Sequence, residues 1–531
     1  MKLIKRMLIV NSVLLMLVYS GLTTAQTIEV QGILTGAPVA DTLLIVGNVS
    51  VPLHEMLDLS NCRFVLANRY YSMVIRGSLT ARGTVEEPIF FGVADTSGFS
   101  DYNSDRGGWG GLIIDGTNSG IDSVVLENCV FSHGKTTGAS SFLNGGIIKL
   151  DSRERVRFTN CSFRNNHAFD WGGAIFVNNS HISFINCEFE NNTCGQEGPP
   201  YGYGGAVCLI STWGEIRLCR FSDNNSTGIG GALSLEYSDV LVAESIFTNN
   251  RSGLGGALGY MRSAPLLPVA GCLFTGNGSR FFGGAIASIE ASPMYLHNTI
   301  TANYSEAYGG GMYCNEGASP VSVNTILYNN TAPEGQEVYI WDLASAPAFY
   351  NCNIRGGREA FSGTGAGSLQ SPYENNIDTL PGFQETIPHP FGLFPDSPCI
   401  DKGLIIKDCT YYPVTDLAGN PRISGALPDI GAYEYQHGLS VPEQEEIIHF
   451  TLCPIPFSSE LHIYKSIASR VSGVMIIYDI SGCEIVRSHI LKPGETFSWD
   501  GTLLSGEKAE QGVYIIRDIR SGQTAKAIKT F

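Results

Sequence analysis

Between residues 129 and 352 the chain repeats itself, and that periodicity limits its fold more than any other feature. Asn160-Cys161-Ser162-Phe163-Arg164-Asn165-Asn166 returns as Asn186-Cys187-Glu188-Phe189-Glu190-Asn191-Asn192, as Cys219 to Asn224, as Ser245 to Asn250 and as Cys272 to Asn277. Weaker copies start at Asn298, Asn324 and Cys352, so the period from Cys129 is about 26 residues, with two intervals of 32. A second unit alternates with the first: Gly172-Gly173-Ala174-Ile175, Gly204 to Val207, Gly230 to Leu233, Gly255 to Leu258 and Gly283 to Ile286, with degenerate copies at Gly145 and Gly309. Each period thus holds two apolar segments of four to six residues between Gly, Asn and Ser turns, too short and too β-branched for helices. One such unit cannot bury its apolar side alone. Stacking coil on coil buries it, which predicts an all-β chain wound as a parallel β-solenoid.

The slots fit that geometry. Phe163, Phe189, Phe221, Phe247, Phe274, Ile300 and Ile326 form an expected interior ladder. Asn166, Asn192, Asn224, Asn250, Asn277, Asn303 and Asn329 suit a turn ladder, because asparagine tolerates the left-handed region and its amide can bond the amide above and below. The paired glycines supply positive φ or close backbone approach at another corner. The alternation of Phe-x-x-Asn with Gly-Gly-Ala-(Ile/Leu/Val) over residues 120–355 resembles the repeat of chlamydial polymorphic outer-membrane proteins and, more broadly, the right-handed parallel β-helix or pectin-lyase-like fold. The first of these families implies an adhesin with a C-terminal membrane barrel. This chain lacks such terminal strands, so a different route to the surface is implied.

The ends read differently. Lys2, Lys5 and Arg6, the apolar run Met7 to Val18 and the small residues Thr23 and Ala25 predict a secretory signal over 1–25. Residues 26–118 read as an N-terminal cap and first coils, with Asn61 to Phe64 a first rung, followed by the repeats over 119–370. Ser397 to Asp401, Thr415 to Arg422 and Asp429 to Tyr435 are similar to segments that close bacterial surface β-helices, placing a closing segment at 371–437 whose aspartates are architectural. A polar linker at 438–449 leads to short strands over 450–531, read as a small Ig-like β-sandwich. Tyr478-Asp479-Ile480-Ser481-Gly482, Trp499-Asp500-Gly501 and Gly512-Val513-Tyr514 resemble the type A C-terminal sorting domain of the type IX secretion system. Ile455, between Pro454 and Pro456, departs from that pattern. The resemblance implies contact with outer-membrane secretion machinery and a secreted, cell-surface location.

A formal charge of −17 and a pI near 5.0 argue against a nucleic-acid partner, which requires a basic face. Cys129, Cys161, Cys187, Cys219, Cys272 and Cys352 share one repeat slot and read as a buried ladder of unpaired thiols; Cys399 with Cys409 and Cys453 with Cys483 are local candidates for bridges. No zinc or other metal spacing and no cofactor motif is recognised, and no catalytic set is assigned. Glycoside hydrolysis on this fold requires acids in matching positions of neighbouring coils, and the repeat carries no such recurring column. Asp95, Asp101, Asp105 and Arg106 are the tempting charged group, set against a solvated loop, while His167 and His181 read as surface turn residues. Immediately before the paired glycines stand Trp171, Tyr203, Ile229, Leu254, Phe282 and Tyr308, helped by Phe169, Tyr201 and Phe281. Of these, Trp171, Tyr203, Phe282 and Tyr308 are the candidate glycan-binding ladder, with packing over the coil corner as the competing role. The resulting expectation is a non-enzymatic surface protein acting in adhesion or in binding an extracellular polysaccharide or a host or neighbouring surface. The alternative is a secreted polysaccharide lyase or glycoside hydrolase.

Overall fold

A computed structural model describes residues 26–116, 122–138, 143–196, 198–199, 201–384, 388–406 and 409–436, and toward the C-terminus 450–453, 457–465, 473–479, 484–492, 495–518 and 524–530. The expected signal segment, the linker 438–449, Pro454 to Pro456 and Cys483 lie outside these. The chain divides into two compact units, Met1–Gln436 and His437–Phe531.

One coil shows how the first unit is wound. Strand Val156–Thr159 ends at Asn160 (φ 52°), Ser162–Arg164 ends at Asn165 (φ 54°), His167–Ala168 leads to Gly172 (φ 68°), and Ile175–Asn178 ends at Asn179 (φ 45°). His181–Ile185 then starts the next coil. Each corner is therefore turned by one left-handed residue, which is why Asn and Gly recur there. Between its ends, the solenoid strands pair in parallel with their equivalents in neighbouring coils, giving a continuous parallel β-helix.

The interior ladder runs Phe131, Phe163, Phe189, Phe221, Phe247, Phe274, with stacked rings 4.6 to 4.9 Å apart. Toward the N-terminus it continues through Phe91 and Val65 to Leu43, whereas Phe64, expected in the first rung, faces outward and stacks on Phe90. At the other end it continues through Ile300 and Leu327 to Ile354, because Ile300 pairs with Leu327 and not with Ile326. Ile326 instead packs with Leu393, Cys399 and Ile430.

Beside the phenylalanines runs the asparagine ladder. The backbone N–H and side-chain Nδ2 of Asn192 both donate to Oδ1 of Asn224, at 3.1 and 2.9 Å, and Nδ2 also donates to the Phe163 carbonyl at 2.9 Å. The same triad repeats through Asn250, Asn277 and Asn303 to Asn330. These residues are fully buried and every amide atom is used. Two expectations shift here. The left-handed residue is the one before each ladder member (Asn191, Asp223, Asn249), and the last member is Asn330, not Asn329. Asn330 is closed by a charge: its N–H and Nδ2 both donate to the carboxylate of Glu337. Glu337 occupies the corner slot filled by Ala174, Ala206 and Ala285 in earlier coils.

The paired glycines divide their work. Gly172 takes the positive φ, whereas a Cβ on Gly173 would collide with the carbonyl oxygen of Gly205 in the next coil. The cysteine slot is a buried thiol ladder that also carries hydrogen bonds. Cys161 Sγ donates to the Leu126 carbonyl (3.4 Å), and the Cys219 and Cys272 N–H groups donate to Ser245 Oγ and Asn298 Oδ1. The next slot member is Thr325, not Asn324, since the Asn298 N–H reaches Thr325 Oγ1. Burial pushes the Cys272 and Cys352 thiols up to about 12, which leaves them inert. Cys399 is likewise an unbridged, buried thiol beside Asn353, so no Cys399–Cys409 bridge forms. The side chain of Cys453 is not described.

Strand Thr27–Ile33 covers the first coil with Ile28, Val30 and Leu34. At the far end Phe361 and Leu369 join the core, beside the short 3-10 turns Arg358–Ala360 and Ala366–Ser368. The segment from Ser397 to Tyr435 lies along the flank: the Ala432 N–H donates to Thr299 Oγ1, the Gly431 N–H to the Asn324 carbonyl, and Tyr411 hydroxyl to Glu244. Its aspartates are taken up by backbone. Asp416 accepts from Ala418, Asn420 and Glu434, and Asp429 from Asp401 and Tyr435.

The second unit holds two antiparallel sheets, Phe450–Cys453, Leu461–Lys465 and Thr496–Trp499 in one, Glu484–Leu491, Gly473–Tyr478, Gly512–Asp518 and Thr524–Lys529 in the other. Leu461, Ile463, Met475, Ile477, Trp499 and Ile516 form its core. A buried Lys465–Asp518 ion pair (2.6 Å) links the two sheets of this Ig-like sandwich.

Burial pushes the Glu337 carboxyl up to about 7 from an ordinary value of 4.5. The folded state therefore holds the proton more tightly, and its contribution to stability grows as pH falls from 7 to 4.5 and is lost as pH rises through 7. Unfolding of Glu337→Gln and the parent, compared at pH 5 and pH 8, should show the parent gaining about 1.4 kcal/mol per pH unit on the acid side. Parallel pH profiles would refute it.

Candidate functional site

The outer face beside the glycine corners carries a column of aromatic and aliphatic side chains. Trp171, Tyr203, Ile229, Leu254, Phe282 and Tyr308 stand one above another, joined by parallel bridges from Tyr203 through Ile229 to Leu254 and from Phe282 to Tyr308. Trp171 and Tyr203 stack with ring centres 5.6 Å apart and planes 1° from parallel, and Phe282 and Tyr308 at 5.5 Å and 14°. All four rings are half-buried, while Ile229 is buried. The column leans over the residues of the next strand that point away from the core, namely Phe176, Cys208, Ser234, Gly259 and Ala287. That explains why these are buried even though they face outward. At Gly259 a Cβ would collide with Ile229 Cγ2, so the middle of the column is a close-packed cover and the two ring pairs flank it.

Beyond Phe282 and Tyr308 the structure adds three rings that sequence reasoning missed. Tyr313 stacks on Phe282 at 4.6 Å, Tyr339 lies 4.8 Å from Tyr308, and Trp341 meets Phe282 edge-on at 5.4 Å. Tyr313 and Tyr339 occupy the outward slot of Phe176, a signal that was present in the repeat. Tyr339 was hidden because its coil has Gly335-Gln336 in place of the glycine pair.

At the other end, strands Leu112–Asp115, Ile148–Asp151 and Ile175–Asn178 bring Asp115, Asp151 and Asn178 into one register. Two acids do therefore share a position on neighbouring coils. Asp151 accepts from Ser152 Oγ (2.9 Å) and Asn178 Nδ2 (3.1 Å), and Asp115 lies 3.5 Å from Arg76 Nε. Lys149, two positions before Asp151 and on the same face of the strand, has its ammonium pKa depressed by burial, with Asp151 and Asp115 opposing the shift. Lys149 lines a depression of about 310 Å³ with Asn48, Tyr70, Ser72 and Asn144, and Asn144 Oδ1 accepts the N–H of Trp171. The shared pattern Leu-Ile-Ile-Asp and Ile-Lys-Leu-Asp could have found this pair, but the regular repeat starts later.

The charged loop 95–106 does not converge on a substrate position. Asp95 and Asp101 accept the N–H groups of Ser97 and Asn103, two residues on, as turn formers. The loop is folded around Lys135, whose side chain is fully buried. Its Nζ lies 2.8 to 3.3 Å from the carbonyls of Gly98, Asp101, Ser104 and Arg106 and 5.1 Å from the Phe99 ring centre. The same loop lays Tyr102 flat on His167 at 3.7 Å. His167 is consequently buried, contrary to its reading as a surface turn, and burial together with Lys135 drives its pKa to about 3. His181 is half-buried next to Trp213.

A family model described as the right-handed β-helix region matches residues 91–293. A search of curated proteins finds no match to the chain.

Lys135 brings a positive charge to those four carbonyls of loop 98–106. Lys135→Met keeps the length and removes the donors, which should cost about 3 kcal/mol and open the loop to protease. Limited proteolysis and denaturant unfolding check this, and an uncleaved loop with unchanged stability would refute it.

Proposed function

We propose that this right-handed β-helix chain is an exported surface protein whose solenoid is a rigid, non-enzymatic rod that contacts extracellular glycan or a neighbouring surface. The observation that carries the reading is the half-buried ring column, above all the Trp171–Tyr203 pair held parallel at 5.6 Å. Rings fixed by a β-ladder lose little entropy on binding, and their faces and edges suit the apolar side of a pyranose. The signal-like segment 1–25 and the Ig-like sandwich with its sorting-domain resemblance support export and delivery to the outer-membrane exterior. The acidic solenoid is in keeping with a partner other than nucleic acid.

A second reading, a polysaccharide lyase or glycoside hydrolase, is favoured by one specific observation. Asp115 and Asp151 sit in register on adjacent coils, about 4.8 Å apart along the stack, with Lys149 beside them. Against it, both carboxylates already serve as partners to Arg76, Ser152 and Asn178.

The full chain incubated with neutral and acidic polysaccharides, with and without calcium, separates the readings when chain length and co-sedimentation are followed together. Retention without shortening is expected, weakened roughly tenfold or more in a Trp171→Ala, Tyr203→Ala double variant. Shortening that is abolished by Asp151→Asn would install the second reading. Removing residues 450–531 should leave the protein in the periplasm, and unchanged surface display would overturn the export proposal.

A further inference from the structure

The far end of the ring column ends in a platform rather than a cover. Trp341 follows strand Val338–Ile340, donates its N–H to the Cys314 carbonyl at 2.9 Å, and is followed by a turn built on Asp342. The Asp342 carboxylate accepts the N–H groups of Ala344 (2.8 Å) and Ser345 (2.9 Å) in its own turn and that of Glu316 from the coil before. Both chain segments beside the indole are thereby pinned. On its inner side Trp341 meets Phe282, Tyr308 and Tyr313 at steep angles of 84°, 77° and 65°. It is nonetheless 44% exposed, and with the 43% exposed Phe281 it forms the open part of the cluster. The free side of Trp341 lines a shallow depression of about 570 Å³ with Glu316, Gly317, Asp342, Leu343, Ala344 and Thr364.

We infer that Trp341 is a second sugar-stacking platform and that it selects neutral glycan over acidic glycan. The inference rests on the glycan reading above and deepens it. The indole supplies the flat apolar surface that the C–H face of a pyranose covers, and Leu343 and Ala344 extend it. Sugar hydroxyls can donate to the Glu316 carboxylate and both donate to and accept from Thr364 Oγ1. The charged side chains lining the depression, Glu316 and Asp342, are both acidic. A uronate or sulfated sugar seated there would place like charges within a few ångströms in a partly desolvated pocket. Asp342 is committed to backbone N–H groups, and the Glu316 carboxylate accepts from Asn315 Nδ2 at 3.5 Å, so the depression offers a cation no cage of free carboxylates. At the opposite end of the same face a lysine, Lys149, lines a depression beside Asn144, which accepts the Trp171 backbone N–H.

The test uses the full chain with a soluble neutral β-glucan, polygalacturonate and chitosan as probes, with affinities measured by calorimetry at low and high salt. Expected are salt-insensitive binding of the β-glucan, a loss of roughly tenfold or more in Trp341→Ala with polygalacturonate binding unchanged, and near-complete rescue by Trp341→Phe. Glu316→Lys, a surface change that leaves the core intact, should add salt-sensitive polygalacturonate binding that Trp341→Ala removes again. If Trp341→Ala leaves β-glucan binding intact while the Trp171, Tyr203 double variant abolishes it, the platform is refuted and the glycan reading stands. Preference of the Trp341 site for polygalacturonate or chitosan overturns the neutral selectivity. Absence of binding to all three probes overturns the glycan reading and this inference with it.

Discussion

The hydrogen bonds along the asparagine ladder are what the rest of the solenoid depends on. Each amide oxygen receives two N–H groups from the coil before it, and each amide nitrogen donates both to the following amide and to a phenylalanine carbonyl one coil back. A buried amide left unpaired costs about 1 to 3 kcal/mol, so a one-residue slip would break the ladder at every coil. With register held in this way the phenylalanine rings superimpose at stacking distance, the second glycine of each pair meets a carbonyl at the next coil, and the residue before the pair always falls on the same outer line. The surface aromatics are in register because the buried amides are.

Where a backbone group has no such repeated partner, the fold spends a single buried charge on several of them. Lys135 gathers four carbonyls of one loop, Glu337 accepts both donors at the end of the ladder, and Arg422 donates to the Gly431 and Ala432 carbonyls with Glu434 3.8 Å away. Burial of Glu434 pushes its carboxyl up to about 7 as well, so the two ends of chain closure respond to acid in the same direction. A lone charge is a costly thing to bury, and each of these is offset by geometry that answers it from more than one side.

Much of this was legible in the repeat. The period, the phenylalanine and asparagine slots, the glycine corners and the stacked thiols follow from spacing alone, because stacked coils make one-dimensional pattern equivalent to three-dimensional contact. The reading slipped where the pattern was degenerate. Ile326 and Leu327 are both apolar and Asn329 and Asn330 are both amides, so Phe-x-x-Asn fits in two registers and only the pairing with Ile300 and Asn303 decides. Contacts from outside the repeat were invisible to it. His167 looks exposed within its own coil and is covered by Tyr102 from a loop 65 positions earlier, and Trp341 joins the ring cluster from a coil whose glycine pair is lost.

The asparagine ladder also has a direction. Every amide is completed by the coil that comes after it, so a solenoid of this kind is a polymer with a growing end, and until the next coil is laid down that end always presents two unanswered N–H donors. An amide at the next position prolongs the series, because it accepts two donors and presents two more. A carboxylate accepts and presents none. Glu337, reaching in from the corner slot that alanine fills in earlier coils, is thus a chain terminator of the amide series in the polymer chemist's sense.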